Sequence, residues 1–134
     1  MARILEQANV LLVRDVPSSI AYWRDKLGFA IAGVWGEPPD FAILKRDGVR
    51  VMLGEAKAEA VITPYWHQRD GLWNAYFWVD NARALFDEMK ASGARIDYEP
   101  QTQPYGVLEF GVQDLDGHDI GFGQDMDAKP TEAV

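Results

Sequence analysis

The chain has 134 residues and no cysteine, and 21 acidic against 13 basic residues leave a formal charge of −8. A domain of this size hides roughly two thirds of the surface its unfolded chain exposes and needs no staples; a disulfide framework and a thiolate metal site are both excluded. The charge repels phosphate backbones, which argues against nucleic acid. The apolar run Val10 to Val13 near the N-terminus is too short for a secretory core or a membrane span, so a cytoplasmic protein without membrane contact is expected.

Val10 to Val13 reads as a short strand, and Asp15-Val16-Pro17-Ser18-Ser19 ends it with turn and cap chemistry. Ile20, Trp23 and Leu27 then recur at helical spacing, and Gly28 stands where a helix end favours a left-handed residue. FAIAGVW, FAILKR and VRVML follow as strands, the last two joined by Asp47-Gly48, a dipeptide suited to a tight hairpin. Residues 55–72 lack periodicity, contain Pro64, and connect the halves.

The pattern then restarts. NAYFWV is a strand, Ala82, Leu85, Phe86 and Met89 mark one helix face, and Gly93 closes that helix. RIDYE, VLEFGVQ and HDIGFG are three more strands, with Asp116-Gly117 as a second two-residue turn. KLGFAIAG and ASGARIDY form a weak repeat about 65 residues apart. The expectation is an α+β domain over 1–123, built from modules at about 5–54 and 73–123 that curve around a cleft, with a loose tail over 124–134.

VLLVRDVPSSIAYWRDKLGF resembles the opening signature of the glyoxalase, bleomycin-resistance and dioxygenase (vicinal oxygen chelate) superfamily, and DLDGHDIGF resembles its closing one. Within that group DFAILKRDGVRVMLGE, AYFWV and QPYGVLEFGVQDLDG are most similar to the bleomycin-resistance proteins. The resemblance implies paired βαβββ modules, often completed in a homodimer. It also implies a cleft that holds a divalent metal in the enzymes and sequesters a drug without metal in the resistance proteins. The metal-bearing positions fall on Ala8, Met52, Asn74 and Gly121. These offer a methyl, a thioether, a neutral amide and no side chain, which cannot replace imidazole and carboxylate donors. No metal and no cofactor are expected there.

DLDGHDIGFG also invites a calcium reading, but the further oxygen donors and the downstream bidentate Glu of such loops are missing at the required spacing. A turn is the expectation, followed by a strand with His118, Ile120 and Phe122 under the helices and Asp119, Gly121 and Gly123 toward the cleft. His67 stands alone, and Ser18, Ser19 and Ser92 sit at helix ends, so no nucleophilic triad is suggested.

Alternation puts Asn74, Tyr76 and Trp78 in the cleft, with Arg50 and Met52 on the fourth strand and Glu109 and Gly111 on the seventh. Trp35, Trp66 and Tyr105 lie on or beside loops at the mouth. By resemblance, Tyr76 and Tyr105 match positions that stack on planar drug rings. The candidate ligand-binding set is Trp35, Arg50, Met52, Asn74, Tyr76, Trp78, Tyr105, Glu109 and Asp119. It suits a flat aromatic or cationic small molecule held by stacking and cation–π contacts. The expected function is metal-free sequestration of an aromatic or glycopeptide-type antibiotic, with a homodimer as the working form. The alternatives are a lyase, isomerase or dioxygenase with a relocated metal, and a non-catalytic dimeric accessory domain.

Overall fold

The computed structural model describes residues 1–127, and its two halves repeat one order of elements. The first half runs β1 (Ala8–Val13), α1 (Val16–Asp25), β2 (Ala30–Trp35), β3 (Phe41–Arg46) and β4 (Val49–Glu55). The second runs β5 (Ala75–Trp78), α2 (Ala82–Ala91), β6 (Arg95–Gln103), β7 (Val107–Gln113) and β8 (Asp119–Asp125). Each half makes one four-stranded sheet, ordered β1-β4-β3-β2 and β5-β8-β7-β6. The first strand of each is parallel to the last, and the remaining pairs are antiparallel. The α+β architecture of paired βαβββ modules is therefore the observed one. Among the described residues no helix is long and apolar enough to cross a membrane.

Local chemistry accounts for the element ends. Pro17 in the first turn of α1 supplies a pre-set φ where the missing N–H costs nothing, and beyond the helix Gly28 takes φ 76°. The Asn81 side chain accepts the Ala84 N–H (3.0 Å) and caps α2. Arg46 pairs with Val49, so the hairpin turn is the expected two residues, with the positive φ carried by Asp47 (50°).

The second expected two-residue turn is longer. Gln113 pairs with Asp119, which leaves 114–118 as the loop. Asp114 Oδ1 accepts the N–H groups of Asp116 (3.0 Å) and His118 (2.8 Å), and Gly117 takes φ 84°. The loop is also tied outward: Trp66 Nε1 donates to the Gly117 carbonyl (2.8 Å), and the Arg14 N–H to Asp116 Oδ1 (3.1 Å). These acidic residues thus brace a turn. β8 runs through Gln124 and Asp125, because Gly106 and Met126 close the β7–β8 ladder and Gln124 Oε1 accepts the Ala82 N–H at the start of α2. Residues 128–134 of the expected tail lie outside the described residues.

The helix-facing sides of both sheets share one core. Trp23, Leu27, Phe29, Leu44 and Leu53 come from the first half, Phe77, Phe86, Met89, Phe110 and Phe122 from the second. Phe122 stacks between Phe77 and Phe110 at 5.5 and 5.1 Å, and Trp23 meets Phe29 edge-on at 4.9 Å. Burying an indole such as that of Trp23 contributes roughly 4–6 kcal/mol before ordering entropy. Polar ties also cross between the halves: the Tyr22 hydroxyl donates to the Gln113 carbonyl (2.5 Å), His118 Nε2 bonds the Leu12 carbonyl (2.6 Å), and Arg46 pairs with Glu88 (2.7 Å). With both helix-facing sides used in this core, the other faces of the two sheets are left open among the described residues.

Candidate functional site

The open face of the second sheet carries the site. Alternation turns Tyr76 and Trp78 of β5, Glu109 and Gly111 of β7, and Asp119, Gly121 and Gly123 of β8 to this side, opposite the core residues Phe77, Phe110, Ile120 and Phe122. The glycines have a steric purpose. A Cβ on Gly121 would lie 2.6 Å from Tyr76 Cδ2 and 2.7 Å from Trp73 Nε1. One on Gly123 would run into the Tyr76 hydroxyl, and one on Gly111 into the Tyr98 ring. Tyr76, Trp73 and Tyr98 therefore press closely on a strip of bare backbone, an approach that only glycine permits.

Glu109 gathers these rings. It is 1% exposed. Oε1 accepts the hydroxyls of Tyr76 and Tyr105 (each 2.8 Å), and Oε2 accepts the Tyr98 hydroxyl (2.6 Å) and, more weakly, Gln103 Nε2 (3.4 Å). Trp73 Nε1 donates in turn to the Tyr98 oxygen (3.0 Å). A carboxylate has about four acceptor sites, so this one is saturated. Burial, then the hydrogen bond to Glu109, raises the hydroxyl pKa of Tyr76 and Tyr98 well above the usual phenol value and pushes Tyr105 up to about 12.

Asp119 differs. It is also buried, yet its Oδ1 has no hydrogen-bond partner among the described residues. Burial, then the charge of the neighbouring Asp97 carboxylate and a side-chain hydrogen bond shared with it, then Glu109, raise its pKa to about 7. Asp97, Asp119, Glu109, Trp73, Tyr98 and Tyr105 line one cavity of about 540 Å³, which the connecting loop borders with Arg69 and Asp70.

Of the nine residues expected from the sequence, Tyr105, Glu109 and Asp119 line this cavity, and Tyr76 is tied to it through Glu109. Trp78, mostly exposed, packs edge-on against Tyr76 at 5.2 Å and also borders a second cavity of about 530 Å³ beside α2. Asn74 is engaged elsewhere, its Oδ1 accepting the Tyr65 N–H (3.1 Å) at the 3₁₀ turn. Trp35, Arg50 and Met52 stand on the open face of the first sheet. There Trp35 packs on Phe41 at 5.9 Å, Arg50 Nε lies 2.9 Å from Glu6 Oε2, and Met52 pairs with Ile43. Trp66 staples the 114–118 loop and does not reach the cavity.

Most other lining residues escape the sequence reading, among them Asp97, Tyr98, Trp73 and Gln103. Tyr98 would share a face with Ile96 by simple alternation, but the pairing shifts between them, and a bulge swings Tyr98 to the open side opposite Gly111. Trp73 and Gln103 lie at or beyond the expected strand ends. The run of glycines at 111, 121 and 123 was the available signal, since glycine inside a strand marks a close approach.

The residues do not fit the divalent metal of the superfamily's enzymes. At position 121 the Tyr76 and Trp73 rings fill the space a donor side chain would need, and the Asn74 oxygen is already bonded. Among the described residues no three His, Cys, Asp or Glu side chains are grouped so that they could hold a metal ion.

The profile of the glyoxalase/bleomycin resistance protein/dioxygenase superfamily matches residues 4–122. The chain belongs to this superfamily. No curated protein sequence matches it significantly. Among solved structures it is similar to the bleomycin-binding protein from bleomycin-producing Streptomyces verticillus, complexed with copper(II)-bleomycin (26% identity, TM-score 0.68, 91% of this chain and 97% of that one). It shares its fold with TnmS3, an antibiotic-binding protein from Streptomyces sp. CB03234 (19%, TM-score 0.70, 93% and 98%). The bleomycin resistance determinant encoded on transposon Tn5 has the same fold (19%, TM-score 0.70, 90% and 97%). This superfamily member thus has antibiotic-binding proteins among its structural neighbours.

Proposed function

We propose that this superfamily member is a cytoplasmic binding protein that sequesters a flat aromatic, antibiotic-type molecule without a metal, in a cleft completed by a second copy of the chain. The observation that carries the reading is the aromatic platform: Trp73, Tyr76 and Tyr98 laid on glycines, with the tyrosine hydroxyls fixed by one saturated carboxylate beside an open cavity. Rings held in place in advance lose little freedom when a planar ligand stacks on them, so most of the contact energy appears as affinity. The similarity to the copper(II)-bleomycin complex supports the same reading.

The first sheet supports the second copy. Its open face exposes Val10 (67%), Leu12 (54%) and Trp35 (52%), an apolar surface of the kind that marks an interface. In the proposed dimer Trp35, Arg50 and Met52 of one protomer face the tyrosine platform of its partner, which brings the two groups of expected residues together around one ligand.

Titrating copper-free bleomycin and copper(II)-bleomycin into the protein, with intrinsic tryptophan fluorescence as readout, tests the proposal. Saturable quenching by either form, lost in Tyr76→Ala, is the expected result. No response to either form, or to a panel of other planar antibiotics, counts against sequestration.

A further inference from the structure

The cavity contains two carboxylate arrangements with different chemistry. Glu109 has spent its acceptor sites on Tyr76, Tyr98, Tyr105 and Gln103, so it holds the walls and offers a ligand little. Asp119 is 4% exposed, lines the same cavity, and has an oxygen with no partner among the described residues. A buried acceptor left unmatched is costly, so a molecule supplying a donor there recovers that cost on binding. The Asp97 carboxylate stands next to it on the exposed side of β6.

We propose that the Asp97–Asp119 pair is a subsite for an organic ammonium group on the aromatic ligand. This rests on the aromatic-ligand reading and adds its charge class. The groups facing Asp119 are Asp97 and Tyr98 from β6, Glu109 from β7, Trp73, and Arg69 and Asp70 from the connecting loop. Arg69 stands against Asp70, Asp97, Glu109 and Asp119, so acidic groups outnumber basic ones in this lining. An anionic ligand is repelled, and a neutral one leaves two adjacent carboxylates uncompensated. An ammonium brings up to three donors and a positive charge, with the faces of Trp73 and Tyr98 beside it for cation–π contact. A hard metal ion would need six or more oxygens, and Glu109 cannot add its own without displacing phenol hydroxyls. The pKa of Asp119 is raised first by burial and then by the Asp97 and Glu109 carboxylates, and an ammonium would relieve the second part.

A matched pair of probes tests the assignment. 1-Naphthylmethylamine and 1-naphthalenemethanol share a ring system and differ in carrying an ammonium or a hydroxyl. Isothermal titration of each into the full chain at pH 8, above the Asp119 value of about 7, should show the amine binding roughly tenfold tighter or more. Asp119→Asn and Asp97→Asn should each bring the amine-to-alcohol affinity ratio close to one, with unfolding temperatures showing that both variants fold. Asp97 is exposed, so its variant keeps the test open should Asp119→Asn fail to fold. Equal binding of both probes by the parent protein overturns the ammonium subsite and leaves the aromatic trap standing. Binding of neither overturns both readings. A tenfold preference that survives in Asp97→Asn places the cation elsewhere and overturns the assignment.

Discussion

Gly111→Ala tests whether the tyrosine platform depends on bare backbone. The added Cβ would lie 2.8 Å from Tyr98 Cδ1 and 2.9 Å from Cζ, with Cε1 closer still. Comfortable carbon contacts are near 3.5–4.0 Å, so the ring has to retreat by roughly 1 Å. It is not free to do so, because its hydroxyl donates to Glu109 (2.6 Å) and accepts from Trp73 (3.0 Å). Overpacking costs about 1–3 kcal/mol, and loosening a hydrogen bond to a charged acceptor about 1.5–3. Replacing a strand glycine returns about 0.5–1 kcal/mol. A net loss of about 2–3 kcal/mol is expected. In a Tyr98→Ala background the clash is gone, and the same substitution should stabilise by about 0.5 kcal/mol. The coupling, about 3 kcal/mol, is read from a double-mutant cycle by urea unfolding at one fixed protein concentration. Equal costs in both backgrounds, with coupling below about 0.5 kcal/mol, would refute the argument that glycine serves the ring.

Three further outcomes are expected. Glu109→Gln keeps the size but removes the charge and turns an amide donor toward a phenol; it should lose about 1–2 kcal/mol of stability and lower the Tyr105 ionisation from about 12, seen by ultraviolet absorbance titration. An unmoved titration would count against the network. Asp119 has its pKa raised from 3.8 to about 7 by burial and then by Asp97, so the native state holds a proton that the unfolded chain releases. Its contribution is then greatest in acid and is lost as pH rises through about 7, so the urea midpoint should fall between pH 5 and pH 8, by on the order of 1–2 kcal/mol once screening by the open cavity is allowed for. A midpoint that rises over that window contradicts the placement. Leu12→Asp changes a side chain that is 54% exposed in one chain and should cost a lone protomer within about 0.5 kcal/mol. If a second copy covers that face, sedimentation equilibrium should show the variant as a monomer where the parent is a dimer, and an identical mass for both would argue against the interface.

Much of the site's second half was legible from strand alternation. Ile120 and Phe122 announce the core side of β8 and so place Asp119 on the other, and the parity survives a longer loop than Asp116-Gly117 suggested, because the apolar pair sets the phase. Tyr98 could not be read this way, since one extra residue in a bulged strand reverses the facing of every residue after it. Asn74 and Trp66 were misleading for another reason: polar groups in a connection are claimed by whichever backbone donor or acceptor the packing brings near, here Tyr65 and Gly117.

The amino-acid order by itself determined the paired modules and the tight Asp47-Gly48 turn, because periodicity and turn chemistry are local properties. Only the tertiary structure decided that Glu109 is saturated while Asp119 keeps an unmatched oxygen, and that the nine expected residues divide between two faces of one chain. Those outcomes depend on which rings and strands meet across the fold. A bulge in β6 and a core shared by the helix-facing sides of both sheets set that meeting, and neither leaves a periodic mark in the chain.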